Sequence, residues 1–231
     1  MASILIIEDE YLLRRLIVAQ LAAEGHTVSE AADAAEGLRL FEEGRPDLVL
    51  LDLGLPDEDG LVVARQLRAR SNVPIIVVTS RKQDEARLAA LELGVDDYIT
   101  KSSNPAELTL RVRNLLARSQ TYRTAPDGRQ RDVLRFSGWT LDMAGATLTD
   151  PGGVTVPLTA GEFRVFCLMA RAPGRVLSRE QILDALTQGG DPPDLRMVDS
   201  FVSRIRRKLG DRRFITTVSG LGYRFEPTPR D

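Results

Sequence analysis

Short apolar runs alternate with amphipathic stretches of about ten residues through the first half of the chain. Ile4–Ile7, Thr27–Glu30, Leu48–Leu51, Ile75–Val78 and Tyr98–Ile99 predict strands. Tyr11–Ala23, Ala34–Glu43, Gly60–Arg70, Asp84–Leu93 and Pro105–Arg118 predict helices. In the first helix Leu12, Leu16, Val18 and Leu21 form the expected apolar stripe, and Gly25 is its expected C-cap. Buried strands separated by helices imply a parallel sheet covered on both faces. Ligands of such a doubly wound α/β domain belong at the carboxyl ends of its strands.

The pattern then changes. Ser119–Arg131 is polar, contains Pro126 and Gly128, and reads as a linker between domains over 1–118 and 132–231. Val133–Phe136, Trp139–Asp142, Ala146–Thr149 and Val154–Leu158 are short alternating segments broken by Gly and Pro, the signature of hairpins. Three helices follow. Thr159 with Glu162 and Ser178 with Gln181 stand as capping boxes for the first two, and Asp194 as the cap of the third, which runs to Leu209 before Gly210. Phe214–Val218 and Tyr223–Glu226, around Ser219–Gly222, predict a closing hairpin, so this half reads as α+β.

Charge sharpens the division. Residues 1–120 carry 14 Lys and Arg against 20 Asp and Glu, a net of −6; residues 121–231 carry 17 against 13, a net of +4. An acidic half suits a cation and a basic half a polyanion. One histidine and one cysteine leave no set for zinc or copper, so any metal here is held by oxygen. No apolar run is long enough to span a membrane, and the N-terminus lacks the basic and apolar stretches of a secretory signal. The expected location is therefore cytoplasmic, with no membrane partner.

Acidic side chains occupy a common address in the first half. Glu8 and Asp9 follow the first predicted strand and Asp52 the third, ends that converge on one sheet edge. Carboxylates that close repel unless a cation lies among them, and an all-oxygen set with water suits Mg²⁺. Gly54 can turn its carbonyl toward the same ion. Thr79 after the fourth strand supplies a hydroxyl, and Lys101 after the fifth an ammonium. Such a site is arranged for Asp52 to accept a phosphoryl group.

Across 1–118 these residues resemble the receiver domain of two-component response regulators, a flavodoxin-like (βα)5 fold. The resemblance implies that a sensor histidine kinase phosphorylates Asp52, that Glu8 and Asp9 help hold Mg²⁺, and that Thr79 and Lys101 contact the phosphoryl group. It also implies that Tyr98 is the switch aromatic that turns inward with Thr79. Ser102 stands where the family usually has proline in a cis peptide. A non-proline cis bond costs about 2.5–4 kcal/mol, so a trans Lys101–Ser102 bond is expected. Further charges match the family's symmetric dimer face: Arg87 with Glu107, Glu92 with Arg113, Asp97 with Arg111, and Leu91 and Leu110 as its apolar centre.

The last predicted helix carries Arg196, Arg204, Arg206, Arg207 and Lys208, with a core stripe of Leu195, Val198, Val202, Ile205 and Leu209. A basic helix docked on two others and followed by a hairpin is the layout of a winged helix-turn-helix. In that layout Arg196, Met197, Ser200, Ser203, Arg204, Arg206 and Arg207 are the expected DNA contacts, and Arg224 a wing contact. Leu158–Phe163, Pro173–Gln181 and Gly220–Phe225 look like the effector domain of the OmpR/PhoB subfamily. The resemblance implies a transcription regulator rather than an enzyme. It would dimerise on phosphorylation, bind promoter DNA at direct-repeat half-sites, and touch RNA polymerase through Thr187–Pro193. The alternative is a dimeric transcription factor that works without phosphorylation, its receiver switch degenerate.

Overall fold

The structure is a computed structural model, and the residues it describes are 1–80, 84–121, 133–186 and 195–228. The linker from 122 onward, the Asp194 cap and the Thr187–Pro193 segment lie outside them. The chain forms two compact units, Met1–Ala117 and Arg118–Asp231.

In the first unit β1 (Ser3–Ile7), β2 (Thr27–Ala31), β3 (Leu48–Leu51), β4 (Ile75–Thr79) and β5 (Asp97–Thr100) alternate with helices. These are α1 (Tyr11–Ala23), α2 (Ala34–Gly44), α3 (Gly60–Arg70), α4 (Asp84–Leu93) and α5 (Pro105–Thr121). The five strands pair in parallel in the order 2-1-3-4-5. Strands β1, β3 and β4 are buried along almost their whole length, which is why they read as continuous apolar runs. Strand β4 runs one residue past its apolar run because backbone pairing of Thr79 with Thr100, not side-chain polarity, ends the ladder. Close packing selects glycine twice. A Cβ at Gly37 would stand 2.8 Å from Ile7 Cγ1, and one at Gly60 would strike the Asp52 carbonyl.

The apolar stripe of α1 is only partly the expected one: Leu21 is buried and Val18 half-buried, but Leu12 and Leu16 are not. Ile17 and Leu21 face the sheet, whereas Leu12 is 77% and Leu16 47% exposed. Each residue advances about 100° around a helix, so Leu12 and Leu16 form a row one step away from Ile17 and Leu21.

The second unit opens with an antiparallel sheet of β6 (Val133–Phe136), β7 (Trp139–Asp142), β8 (Thr147–Thr149) and β9 (Thr155–Val156). Three helices follow: α6 (Ala160–Ala170), α7 (Arg179–Leu186) and α8 (Arg196–Leu209). Between the first two lies β10 (Val176–Leu177), and a 3-10 turn at Arg212–Phe214 leads into β11 (Ile215–Val218) and β12 (Gly222–Phe225). Strand β12 pairs with both β10 and β11 in an antiparallel sheet. Gly222 sits at φ 145°, and a Cβ there would strike the Leu177 carbonyl, so this crossing requires glycine. Phe136 holds the core together, edge-on to Phe166, Phe214 and Phe225 at centroid distances of 5.9, 5.3 and 5.2 Å. Both capping boxes form, at Thr159–Glu162 and Ser178–Gln181.

Candidate phosphoacceptor pocket and nucleic-acid face

Adjacent parallel strands bring the acidic residues together. Strand β1 lies beside β3, and the Asp52 amide donates to the Ile7 carbonyl at 2.9 Å. Carboxylate oxygens of Glu8, Asp9 and Asp52 all lie within 4.8 Å of one another. Lys101 reaches in from the end of β5, its Nζ 2.6 Å from Glu8 Oε1 and 2.9 Å from Asp52 Oδ2. Its own amide donates to the Thr79 carbonyl at 2.9 Å, which fixes the loop to β4. Thr79 and Tyr98 are both buried, and Gly54 leaves space beside the acceptor, where an added Cβ would be 3.4 Å from Asp52 Oδ2. No peptide bond is cis among the described residues, so Lys101–Ser102 is trans.

The electrostatics favour a cation. Burial pushes the Glu8 carboxyl up to about 7, with the nearby Asp52 charge adding to the effect against the bonds from Lys101 and the Glu10 amide. Burial disfavours the Lys101 ammonium too, but bonds to Glu8 and Asp52 outweigh it and hold its pKa above the usual lysine value. Asp52 Oδ1 is buried and accepts no hydrogen bond from the described residues. A buried acceptor without a donor carries a desolvation cost that a metal ion or a phosphoryl ligand removes. Two further carboxylates beside it make an all-oxygen set that fits Mg²⁺.

Asp57, absent from the sequence-based site, fixes the loop that follows Asp52. Its carboxylate accepts from the Ala34 and Ala35 amides at 2.9 and 3.0 Å, tying the loop after β3 to the start of α2. Both partners are backbone groups, so no pattern of side chains announces the contact.

The expected dimer face is only partly a surface. Leu91 is 1% exposed and packs within the unit, which corrects its reading as an apolar surface centre; Leu110 is 37% exposed. Asp97 and Arg111 are bonded to each other at 2.9 Å, and Arg111 also reaches Glu107 at 2.5 Å. Arg113 pairs with Glu24 at 2.7 Å, and Glu92 is exposed. The Arg87 side chain lies outside the described residues.

On α8 the basic residues divide by direction. Arg196, Ser200, Ser203 and Arg207 recur at i, i+4, i+7 and i+11 and form an exposed or half-exposed row. Met197 is 5% and Arg204 6% exposed, which removes both from the set offered to DNA. Arg204 Nε bonds Glu162 Oε1 at 2.8 Å, and Lys208 Nζ bonds Glu162 Oε2 at 2.6 Å, pinning α8 to the first turn of α6. Arg206 is turned to the hairpin, donating to the Ile215 carbonyl at 2.7 Å and to Thr217 Oγ1 at 2.9 Å. Tyr223 lies between two guanidinium groups, with Arg179 at 4.8 Å and Arg206 at 5.5 Å from its ring centre. Its hydroxyl donates to Asp199 at 2.6 Å. The helix and the hairpin are thereby held as one piece. Arg224 lies in β12 opposite Val176 and Thr216, away from the hairpin tip, with its Nε 2.6 Å from Glu226 Oε1. Its reading as a wing contact is corrected accordingly.

Parallel-sheet pocket and helix-plus-hairpin face together define a class: a regulatory α/β domain joined to a winged-helix DNA-binding domain. Comparison with known proteins narrows it. Residues 4–113 match the response regulator receiver domain family, and residues 153–225 the family described as transcriptional regulatory protein, C terminal. The chain is 38% identical over 227 residues to the aerobic respiration control protein ArcA of Escherichia coli K12, covering 96% of this chain and 95% of that one. It is 37% identical to the transcriptional regulatory protein ResD of Bacillus subtilis, covering 97% and 95%. Among solved structures, the response regulator DrrB, an OmpR/PhoB homologue from Thermotoga maritima, aligns over 98% of this chain and 99% of its own at TM-score 0.52 and 28% identity. A RitR mutant shares the fold at TM-score 0.74 and 21% identity, over 98% and 99% of the two chains. The chain belongs to the two-component response regulators of the OmpR/PhoB type, and is a transcription regulator with a receiver and a DNA-binding domain.

Proposed function

We propose that this regulator is switched by phosphorylation of Asp52 from a sensor histidine kinase in the cytoplasm, dimerises through its receiver, and binds promoter DNA through α8 and the β11–β12 hairpin. The observation that carries the reading is the buried, unbonded Asp52 Oδ1 beside the Lys101 ammonium. Asp52 attacks phosphorus in line; the bond to the donor imidazole nitrogen breaks, and its electron pair leaves with the donor. Lys101, already bonded to Asp52 Oδ2, turns to the incoming phosphoryl oxygens, and the Thr79 hydroxyl donates to another of them. Glu8, Asp9, Asp52 and the Gly54 carbonyl would hold Mg²⁺, which supplies neutralising charge for those oxygens. Movement of Thr79 is coupled to Tyr98, which stands opposite Val77 on the neighbouring strand.

In the dimer, Arg87, Glu92, Asp97, Glu107, Arg111 and Arg113 set the register of two receivers. The paired effector domains then meet direct-repeat half-sites and present RNA polymerase with a contact surface. Asp52→Ala is expected to abolish acid-labile phosphate incorporation from a small acyl phosphate donor; full labelling of that variant refutes the assignment. Normal labelling with no change in dimerisation or DNA affinity favours instead a regulator that acts without phosphorylation.

A further inference from the structure

Three of the five basic side chains on α8 have work inside the domain, as described above for Arg204, Arg206 and Lys208. Arg207 does not. It is exposed and, among the described residues, makes no ion pair or side-chain hydrogen bond. Beyond it Gly210 takes a left-handed turn at φ 72°, and the chain returns through the 3-10 turn with Arg212 exposed and likewise unpaired. The intervening Asp211 does not neutralise Arg212. Its carboxylate is turned to Arg213, accepting from that residue's backbone amide at 2.8 Å and pairing with its guanidinium at 3.1 Å. Ser203, Arg206, Arg207, Gly210 and Arg212 thus line one open cleft of about 650 Å³ at the end of the helix.

We propose that this cleft clamps a backbone phosphate of duplex DNA, with Arg207 and Arg212 as its two cations and the Ser203 hydroxyl as a third donor. The proposal rests on the reading of this unit as the DNA-binding module and adds Arg212, beyond the end of α8, to the contacts expected on that helix. A guanidinium fork matches two phosphate oxygens, and two forks lining one cleft can hold an anion together. Attraction of the helix C-terminus for cations accounts for Arg207, which lies in the last turn, but not for Arg212, which lies past Gly210 in a separately capped turn. Mutual repulsion points the same way. Burial lowers the pKa of Arg206; Tyr223 and Asp199 work against this, and the neighbouring Arg212 charge adds to it. An anion in the cleft relieves that repulsion.

The test uses the full chain and a 30-base-pair (about three turns) mixed-sequence duplex, titrated between about 50 and 200 mM salt. Each phosphate contact contributes a slope of about −0.9 to the plot of log affinity against log salt. Arg212→Ala is expected to flatten the slope by about one contact. Its affinity deficit should then shrink by about 3.5-fold between the two salt concentrations. Arg212→Lys should keep most of the slope, and Arg135→Ala, which removes an exposed charge on β6, should keep all of it. Unfolding midpoints equal to wild type exclude a folding defect, and Arg212→Gln serves as the neutral variant if the alanine variant is unstable. A wild-type slope in Arg212→Ala, or an equal loss in Arg135→Ala, overturns the clamp. A wild-type chain with no salt-dependent affinity for the duplex overturns the DNA-binding reading beneath it.

Discussion

Glu8 shows how one buried carboxyl links stability to the cation site. Its folded pKa of about 7 stands above the usual 4.5, so between those values the folded receiver holds a proton that the unfolded chain has released. Stability from this group is therefore complete below about pH 4.5 and lost as pH rises through about 7. Thermal unfolding in EDTA is expected to show a midpoint that falls from pH 5 to pH 8, and Glu8→Gln should flatten that profile. Saturating Mg²⁺, at about 100 times its dissociation constant, should restore about 2.7 kcal/mol at the alkaline end. A midpoint independent of pH, or equal profiles for wild type and Glu8→Gln, would contradict the burial argument. The placement of Glu8, Asp9, Asp52, Thr79 and Lys101 at one sheet edge was legible in the sequence, because a strand end is a fixed address. Asp57 was not, since the groups it bonds belong to the backbone of α2.

At the level of elements, α8 separates what periodicity can reveal from what it cannot. Of the core stripe that spacing gives, Val198, Val202, Ile205 and Leu209 are buried, whereas Leu195, just before the first helical residue, is 39% exposed. The direction of each arginine does not follow from spacing, because Glu162 stands 42 positions before Arg204. Strand β10 was missed for a related reason: two residues are too few to show alternation, and its pairing with β12 is long-range. Burial works against the Glu162 carboxylate, but Lys208 and Arg204 outweigh it and hold its pKa below the usual 4.5. The stability it contributes is present above that usual value and is lost as pH falls through the depressed one. Arg204→Ala leaves this charge buried with one cation fewer, a change that costs about 3–5 kcal/mol for a buried pair. Denaturant unfolding of the effector domain should show that loss, while DNA affinity measured well below the unfolding transition changes little. Unaltered unfolding with lost DNA binding would return Arg204 to the groove.

For the whole molecule, the proposed switch needs a route by which a phosphoryl group on the receiver would alter the use of the other domain, and the dimer face is the route proposed. Arg111 already has both of its partners within its own receiver, with 11% of its side chain exposed. A symmetric dimer that pairs Asp97 of one copy with Arg111 of the other exchanges two internal pairs for two external ones. The number of ion pairs does not change, so the exchange sets register and salt sensitivity more than affinity. This makes a mixing experiment decisive. With Mg²⁺ and beryllofluoride, the wild-type chain is expected to sediment as a dimer. Asp97→Arg and Arg111→Asp, each alone, place like charges opposite one another and should remain monomeric. Mixed in equal amounts they should dimerise again, because in the mixed pair each two-fold-related contact joins opposite charges. A mixture that stays monomeric while wild type dimerises would confine the pair to a single receiver. The added phosphoryl charge would then have to act through another surface, for which Leu110, 37% exposed on the outer side of α5, is the first position to test.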